Sequence, residues 1–243
     1  MKILAIGNSF SQDATAYVED IAASLGREDI IAANLYIGGC PLSRHAENLR
    51  TNAKDYEYQR HGKEVYKACI RETLEADKWD VITLQQVSGL SGIEGTYHPY
   101  LEQVLDVVRT VCPDAKIMLH RTWAYEEGSG HGDFPRYDRD RVKMDTAIEA
   151  VYQNLSKTYG FEIIPSGNFV TFLKSEPEFD IANGGISLYR DRFHMSYTYG
   201  RYATAAVWLK VICGMTLDGA TFVPEGSDAA LTQKINLLVD KTF

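Results

Sequence analysis

The chain has 243 residues, 45% of them hydrophobic and 24% charged, the composition of an ordinary globular protein long enough to bury a substantial core. A formal net charge of −8 argues against a nucleic-acid partner, since phosphate binding relies on clustered Lys and Arg. There is no apolar run near the roughly 20 residues that a membrane span needs. Met1-Lys2 leads into only the short run Ile3 to Ile6 before Gly7-Asn8-Ser9, so no secretory signal is read and a cytoplasmic location is expected, or secretion if a leader has been trimmed away.

Strand-like segments are predicted at Lys2 to Ile6, Ile30 to Ile37, Val81 to Leu84, Lys116 to His120 and Glu162 to Pro165. Helix-like segments alternate with them. Leu101, Val104, Leu105 and Val108 fall at i, i+3, i+4 and i+7, and Met144, Ile148, Val151 and Leu155 form a second apolar face. Ala203, Val207 and Val211 mark a third. This alternation is the pattern of a parallel sheet with helices on both faces. No linker or repeat divides the chain, so one domain over residues 1–243 is expected. The stretches Gly38 to Gly62, Trp123 to Tyr137 and Ser175 to Asp191 read as irregular, and they belong beyond the strand ends where open α/β sheets bind ligands. The basic stretch Arg136 to Lys143 is interleaved with Asp138 and Asp140 and reads as a solvated helix start.

Ser9 follows the first strand and opens a helix-like segment, which aims its hydroxyl at the carboxyl edge of the sheet. A helical amino terminus there would also offer N–H groups to a developing oxyanion. The plainer role is an N-cap, because Ser9-Phe10-Ser11-Gln12 fits the S-x-x-Q capping box; Ser11 or Asp13 would be the other caps. Near the other end, Asp191-Arg192-Phe193-His194 sets a carboxylate three residues before an imidazole, close enough to fix its tautomer and leave the far nitrogen for a serine. A lone D-x-x-H is also a common surface pair. Of the other histidines, at 45, 61, 98, 120 and 131, only His120 sits at a predicted strand end and is the fallback base. Cys40, Cys69, Cys112 and Cys213 are widely spaced, without C-x-x-C or a zinc-spaced Cys/His cluster, so reduced thiols and no metal site are expected, with two disulfides as the alternative.

Together these segments resemble the SGNH, or GDSL-like, esterase/lipase superfamily, in its carbohydrate-esterase-like branch. Gly7-Asn8-Ser9-Phe10-Ser11 is similar to the first block, with Asn8 where Asp is commoner. Gly38-Gly39 is similar to the second, whose glycine donates an N–H to the oxyanion hole, and Asp191 to His194 match the final block. The third block, usually G-x-N-D, is replaced by Leu84-Gln85-Gln86-Val87-Ser88. The resemblance implies a three-layer α/β/α, flavodoxin-like fold with a central parallel sheet of about five strands.

It also implies catalysis by Ser9, His194 and Asp191, with an oxyanion hole from the N–H groups of Ser9 and Gly39 and an amide from Gln85, or secondarily Gln86. The plainer reading of both glutamines is a polar strand end. Trp123 and Tyr125, just past the fourth strand, are candidates with Gln86 for substrate binding, because aromatic faces suit sugar rings; as ordinary core residues they would do neither. Tyr197, Tyr199 and Tyr202 are expected to pack the last helices. The expected reaction is removal of acetyl or another short acyl group from a small-molecule or carbohydrate ester, with no cofactor. Three other readings are an acyltransferase or lipase of the same fold, a non-catalytic carbohydrate-binding protein, and a nucleotide-binding doubly wound protein. The last lacks G-x-G-x-x-G and a P-loop.

Overall fold

A computed structural model describes residues 1–243. In chain order the elements are β1 (Lys2–Gly7), α1 (Ser9–Thr15), α2 (Val18–Ser24), β2 (Ile31–Tyr36), α3 (Leu42–Thr51), β3 (Tyr56–Arg60), β4 (Lys63–Ala68), α4 (Ile70–Glu75) and β5 (Val81–Leu84). They continue with α5 (Tyr100–Val111), β6 (Lys116–His120), α6 (Arg141–Tyr159), β7 (Glu162–Ile164), α7 (Ser166–Leu173), α8 (Tyr199–Cys213) and α9 (Ala229–Thr242). The sheet order is β4-β3-β2-β1-β5-β6-β7. The pairs β1–β2, β1–β5, β5–β6 and β6–β7 are parallel, and the two pairs on the β4 side are antiparallel.

The five expected strands are all present and form the parallel part of the sheet. Their near-continuous apolar runs are what strands covered on both faces require; every residue of β5 and all but the first of β1 is buried or almost so. The count corrects from about five to seven because residues 56–68, inside or beside a stretch expected to be irregular, fold as an antiparallel hairpin. His61 and Gly62 both take positive φ, 50° and 67°, the backbone of a two-residue turn that matches strand twist. The charged sequence Lys63-Glu64-Val65-Tyr66-Lys67 hides this strand from a hydrophobic reading, and charge is how an exposed sheet edge avoids pairing with another chain. Leu42–Thr51 is likewise a helix within that stretch.

The expected helical faces lie as the periodicity requires. Leu101, Val104, Leu105 and Val108 are buried on α5, and Met144, Ile148, Val151 and Leu155 on α6. On α8, Ala203 and Val207 are fully buried while Val211 is only partly so. Helices α3, α4 and α5 pack together, and α1, α2, α7 and α9 gather around α8. Right-handed crossovers to opposite sides of β1 place these groups on opposite faces, giving the three-layer α/β/α arrangement. The expected basic helix start begins one turn late: Asp140 caps α6 by accepting from Val142 and Lys143 N–H, after Asp138 and Arg139 take left-handed backbone. All four cysteines are free thiols. No helix is long and apolar enough to cross a membrane.

The direction of chain progression reverses at β1, since α1 and α2 lead to β2 on one side while the later crossovers build outward from β5 on the other. A crevice at the carboxyl end of the strands is the geometric consequence.

Candidate active site

The turn after β1 is built around Asn8. Its Oδ1 accepts from Phe10 N–H at 3.1 Å, and Ser11 Oγ accepts from Asn8 N–H at 2.9 Å, so Asn8 and not Ser9 is the N-cap of α1. This overturns the capping alternative for Ser9. Its side chain is left with a different partner: Ser9 Oγ lies 2.9 Å from His194 Nε2. Gly7 makes the turn possible, because a Cβ there would come within 2.2 Å of Ser11 Oγ and 3.2 Å of Gln85 Cδ.

His194 and Asp191 sit on a loop whose ends are joined by the Arg190 N–H to His194 carbonyl bond and by a bridge between Tyr189 and Met195. Asp191 Oδ1 accepts from Phe193 and His194 N–H at 3.2 and 2.7 Å, and its Oδ2 lies 2.7 Å from His194 Nδ1. Burial alone would raise the Asp191 carboxyl, but hydrogen bonds from the His194 N–H and imidazole, together with that charge, hold it below the usual carboxylate range. A carboxylate fixed in this way makes Nδ1 the protonated nitrogen and turns the Nε2 lone pair toward Ser9. The loop in turn is anchored to the rest of the fold. Trp123 Nε1 donates to the Phe193 carbonyl at 2.8 Å, and the ring of Trp123 stacks on Phe10, 4.4 Å between centroids. Asp13, fully buried on α1, accepts from Met195 N–H and from Arg190 and Arg201.

These residues open on a cavity of about 270 Å³ lined by Asn8, Ser9, Phe10, Gln12, Tyr36, Gly38 and Gly39 on one side and by Val87, Ser88, His131, Arg190, Phe193 and His194 on the other. Larger hollows exist, one of about 510 Å³ around Trp79 and Cys112 and one of about 410 Å³ around Lys174 and Asp180. Neither contains a hydroxyl paired with an imidazole, and the smaller cavity does. The N–H groups of Ser9 and Gly39 have no protein acceptor, which leaves them available to an oxyanion at the cavity wall. Gly39 holds φ at +62°, a backbone that glycine adopts without strain.

Four of the expected site residues lie elsewhere. Gln85 is buried behind Asn8 and does not line the cavity: its Nε2 donates to Asn8 Oδ1 at 2.9 Å and its Oε1 faces His120 Nδ1 at 2.6 Å. It is therefore a brace for the turn that carries Ser9 rather than a wall of the hole. Gln86 is also buried and engaged, with Oε1 accepting from Leu42 and Val87 N–H and Nε2 donating to the Thr96 carbonyl. Trp123 and Tyr125 are fully buried, because the segment after β6 turns inward under the loop that carries His194. Tyr125 supports the wall from behind, its hydroxyl 2.8 Å from Ser88 Oγ and its ring edge-on to Phe193.

The fallback base is corrected too. His120 is fully buried between Gln85 and Ser166, whose Oγ is 3.1 Å from its Nε2, and desolvation pushes its pKa down to about 3. It holds Gln85 and reaches no cavity. Of the tyrosines expected to pack the last helices, Tyr202 and Tyr199 are buried, whereas Tyr197 is exposed beneath two arginines. Sequence reasoning missed Tyr36, His131 and Arg190 on the wall and Asp13 beneath it. Asp13 lies four residues after Ser9, one helical turn away, and Arg190 directly precedes Asp191; adjacency to the motifs was the signal.

The family whose description reads "Domain of unknown function (DUF4886)" matches residues 2–237. No curated protein matches. The crystal structure of a DUF4886 family protein from Bacteroides uniformis ATCC 8492 is 32% identical, with a TM-score of 0.88 over 100% of this chain and 94% of that one. An acetyl xylan esterase, AlAXEase, superposes with a TM-score of 0.59 at 14% identity, covering 87% of this chain and 100% of its own. A lipase/acylhydrolase from Enterococcus faecalis reaches 0.56 at 15% identity, covering 88% and 95%. At such identities the likeness concerns the fold, which is SGNH-like.

Proposed function

This chain belongs to the DUF4886 family, and we propose that within it the chain is a serine-dependent carboxylic-ester hydrolase removing acetyl or another short acyl group from a carbohydrate, as a single domain over residues 1–243. One observation carries the reading: Ser9 Oγ, His194 and Asp191 form a continuous hydrogen-bonded line of 2.9 and 2.7 Å that ends in a cavity. Support for the short acyl group is the cavity volume, about 270 Å³ for the whole of the bound portion. For the single domain it is one apolar cluster of 62 buried residues running from Ile3 to Val239. Among the structures of this fold, one is an acetyl xylan esterase, which supports a sugar ester as the first substrate to try.

The chemistry follows from the proton positions. His194 Nε2 takes the proton of Ser9 as Oγ attacks the ester carbonyl carbon, and Asp191 stabilises the resulting imidazolium without being protonated itself. The tetrahedral oxyanion accepts from the N–H groups of Ser9 and Gly39, donors that need no reorganisation when charge develops. Imidazolium then returns the proton to the departing alkoxide, and the C–O bond breaks. Water, deprotonated by the same imidazole, attacks the acyl-serine, and collapse of the second tetrahedral species releases the carboxylic acid and free Ser9. No step calls for a cofactor. The test is covalent labelling with an organophosphonate followed by peptide mapping. Modification at Ser9 with loss of aryl acetate turnover is expected, and inert Ser9 would defeat the proposal.

A further inference from the structure

The cavity that holds Ser9 carries a charge that the hydrolytic steps leave unused. Asp13 is fully buried, and its carboxylate is shared by two guanidiniums: Arg190 Nη1 donates to both oxygens at 2.9 and 3.0 Å, and Arg201 Nε to Oδ1 at 2.8 Å. One carboxylate serves two cations, so one positive charge is left without a protein counter-ion in a chain whose formal net charge is −8. Of the two arginines, Arg190 lines the cavity. Its Nη1 also donates to the Met195 carbonyl, while its Nε and Nη2 have no protein acceptor. Those two nitrogens form one edge of the guanidinium, the edge that receives a carboxylate in two parallel hydrogen bonds. Both guanidiniums lie over the ring of Tyr197, Arg190 at 4.8 Å and Arg201 at 4.6 Å from its centroid, and this contact holds Arg190 by its face.

Tyr36, at the end of β2, lines the same cavity and brings a second donor. Its hydroxyl lies over Gly38, where a Cβ would come within 3.1 Å of it, so the glycine leaves that oxygen uncrowded. Burial, with Glu57 and Asp13 nearby, keeps the phenol protonated by pushing its pKa up. Glu57 is itself engaged, with Gln59 Nε2 at 2.8 Å and Lys67 Nζ at 3.5 Å, and Asp191 is held by His194. Both carboxylates are thus hydrogen-bonded by other groups, and neither occupies the free edge of Arg190.

Resting on the ester-hydrolase reading above, we infer that the substrate carries a carboxylate, received by the free edge of Arg190 with the Tyr36 hydroxyl beside it, as in an acetylated acidic sugar. One uncompensated positive charge matches one carboxylate rather than a doubly charged phosphate. The test compares kcat/KM of the full chain for an acetylated methyl glucuronoside and for its uronamide, which has the same acyl group and ring without the charge. At low ionic strength the acid should be favoured by roughly 10- to 100-fold, the range of a charge-assisted pair, and salt should shrink the preference.

Arg190→Gln should bring the acid-to-amide ratio to about one, whatever loss both substrates share from loosening the loop of residues 190–195. Tyr36→Phe should lower the ratio by roughly 3-fold, as loss of one neutral donor would. An unchanged ratio in Arg190→Gln, a wild-type preference for the amide, turnover of phenyl acetate but of neither sugar, or a preference for the 6-phosphate of acetylated methyl glucoside overturns the inference and leaves ester hydrolysis standing. Failure on every ester, phenyl acetate included, defeats the hydrolase reading instead.

Discussion

The ends of β1 and β5 lie side by side in the sheet and both break into polar residues, yet they do opposite things. After β1, Asn8 takes over the capping of α1 and leaves the Ser9 hydroxyl facing an imidazole in a cavity. After β5, Gln85 and Gln86 turn inward, and each binds on both sides of its amide. The difference lies in what remains unsatisfied. A polar side chain whose donors and acceptors are all engaged is structural material, and the one with an unfinished partner set and access to solvent is where chemistry can occur.

The sharpest way to break this contrast is Ser9→Ala. Turnover of a short aryl acetate should fall by about 10⁴- to 10⁶-fold. Thermal stability should hold, because the cap belongs to Asn8. Asn8→Ala should do the reverse for stability, at a cost of about 1 kcal/mol in urea denaturation. Activity surviving in Ser9→Ala would put Ser9 on the structural side of the comparison.

The partners of Ser9 come next. Asp191→Asn removes the charge while preserving shape, and by analogy with other serine triads should lower kcat by about 10⁴-fold, with His194→Ala at least as damaging. The double variant should be scarcely worse than His194→Ala alone, measured by kcat on the same ester, since groups that act as a unit are non-additive. Multiplicative losses would show that the 2.7 Å contact between them has no catalytic meaning. The wild-type kcat/KM should fall toward acid pH, because a protonated imidazole cannot accept from Ser9.

Gln85→Ala probes the structural side. It removes one of the two donors to Asn8 Oδ1, leaving only Phe10 N–H, and takes from His120 Nδ1 its partner inside the protein, so a loss of about 1–3 kcal/mol in denaturant stability is expected. The kcat change should stay near 10-fold, the effect of a loosened turn. A drop of about 10²- to 10³-fold with unchanged stability is what a direct oxyanion donor would give, and that outcome would return Gln85 to the hole. Gln86→Ala should lower stability without touching kcat.

The mildest test uses pH. Desolvation lowers the pKa of buried His45 and His120 to about 3 in the folded chain, against about 6.5 for an unperturbed histidine. Between those values the unfolded chain binds more protons, so their contribution to stability is fully present above about 6.5 and is lost as pH falls toward 3. Urea midpoints measured across that window should decline with acid, and His120→Gln should flatten the slope. An unchanged slope in that variant would mean His120 is hydrated and not part of the brace.

Periodicity and strand patterns in the sequence determined the parallel core of five strands, the buried faces of α5 and α6, and the places of the serine and the D-x-x-H segment. These features are local, because side chains at fixed spacing must share a face whatever surrounds them. Only the tertiary structure decided the rest. The hairpin of β3 and β4 depends on a vacant edge beside β2, and its charged strand has no apolar signature of its own. Whether Gln85, Gln86, Trp123 and Tyr125 touch a ligand or brace a loop depends on partners distant in the chain; Gln85 with Asn8, 77 residues apart, and Trp123 with Phe193, 70 apart, are two cases. Asp13 and Arg190 are 177 residues apart and meet only when the last loop closes over α1, so their bond, and the charge it leaves facing the cavity, is a property of the fold alone.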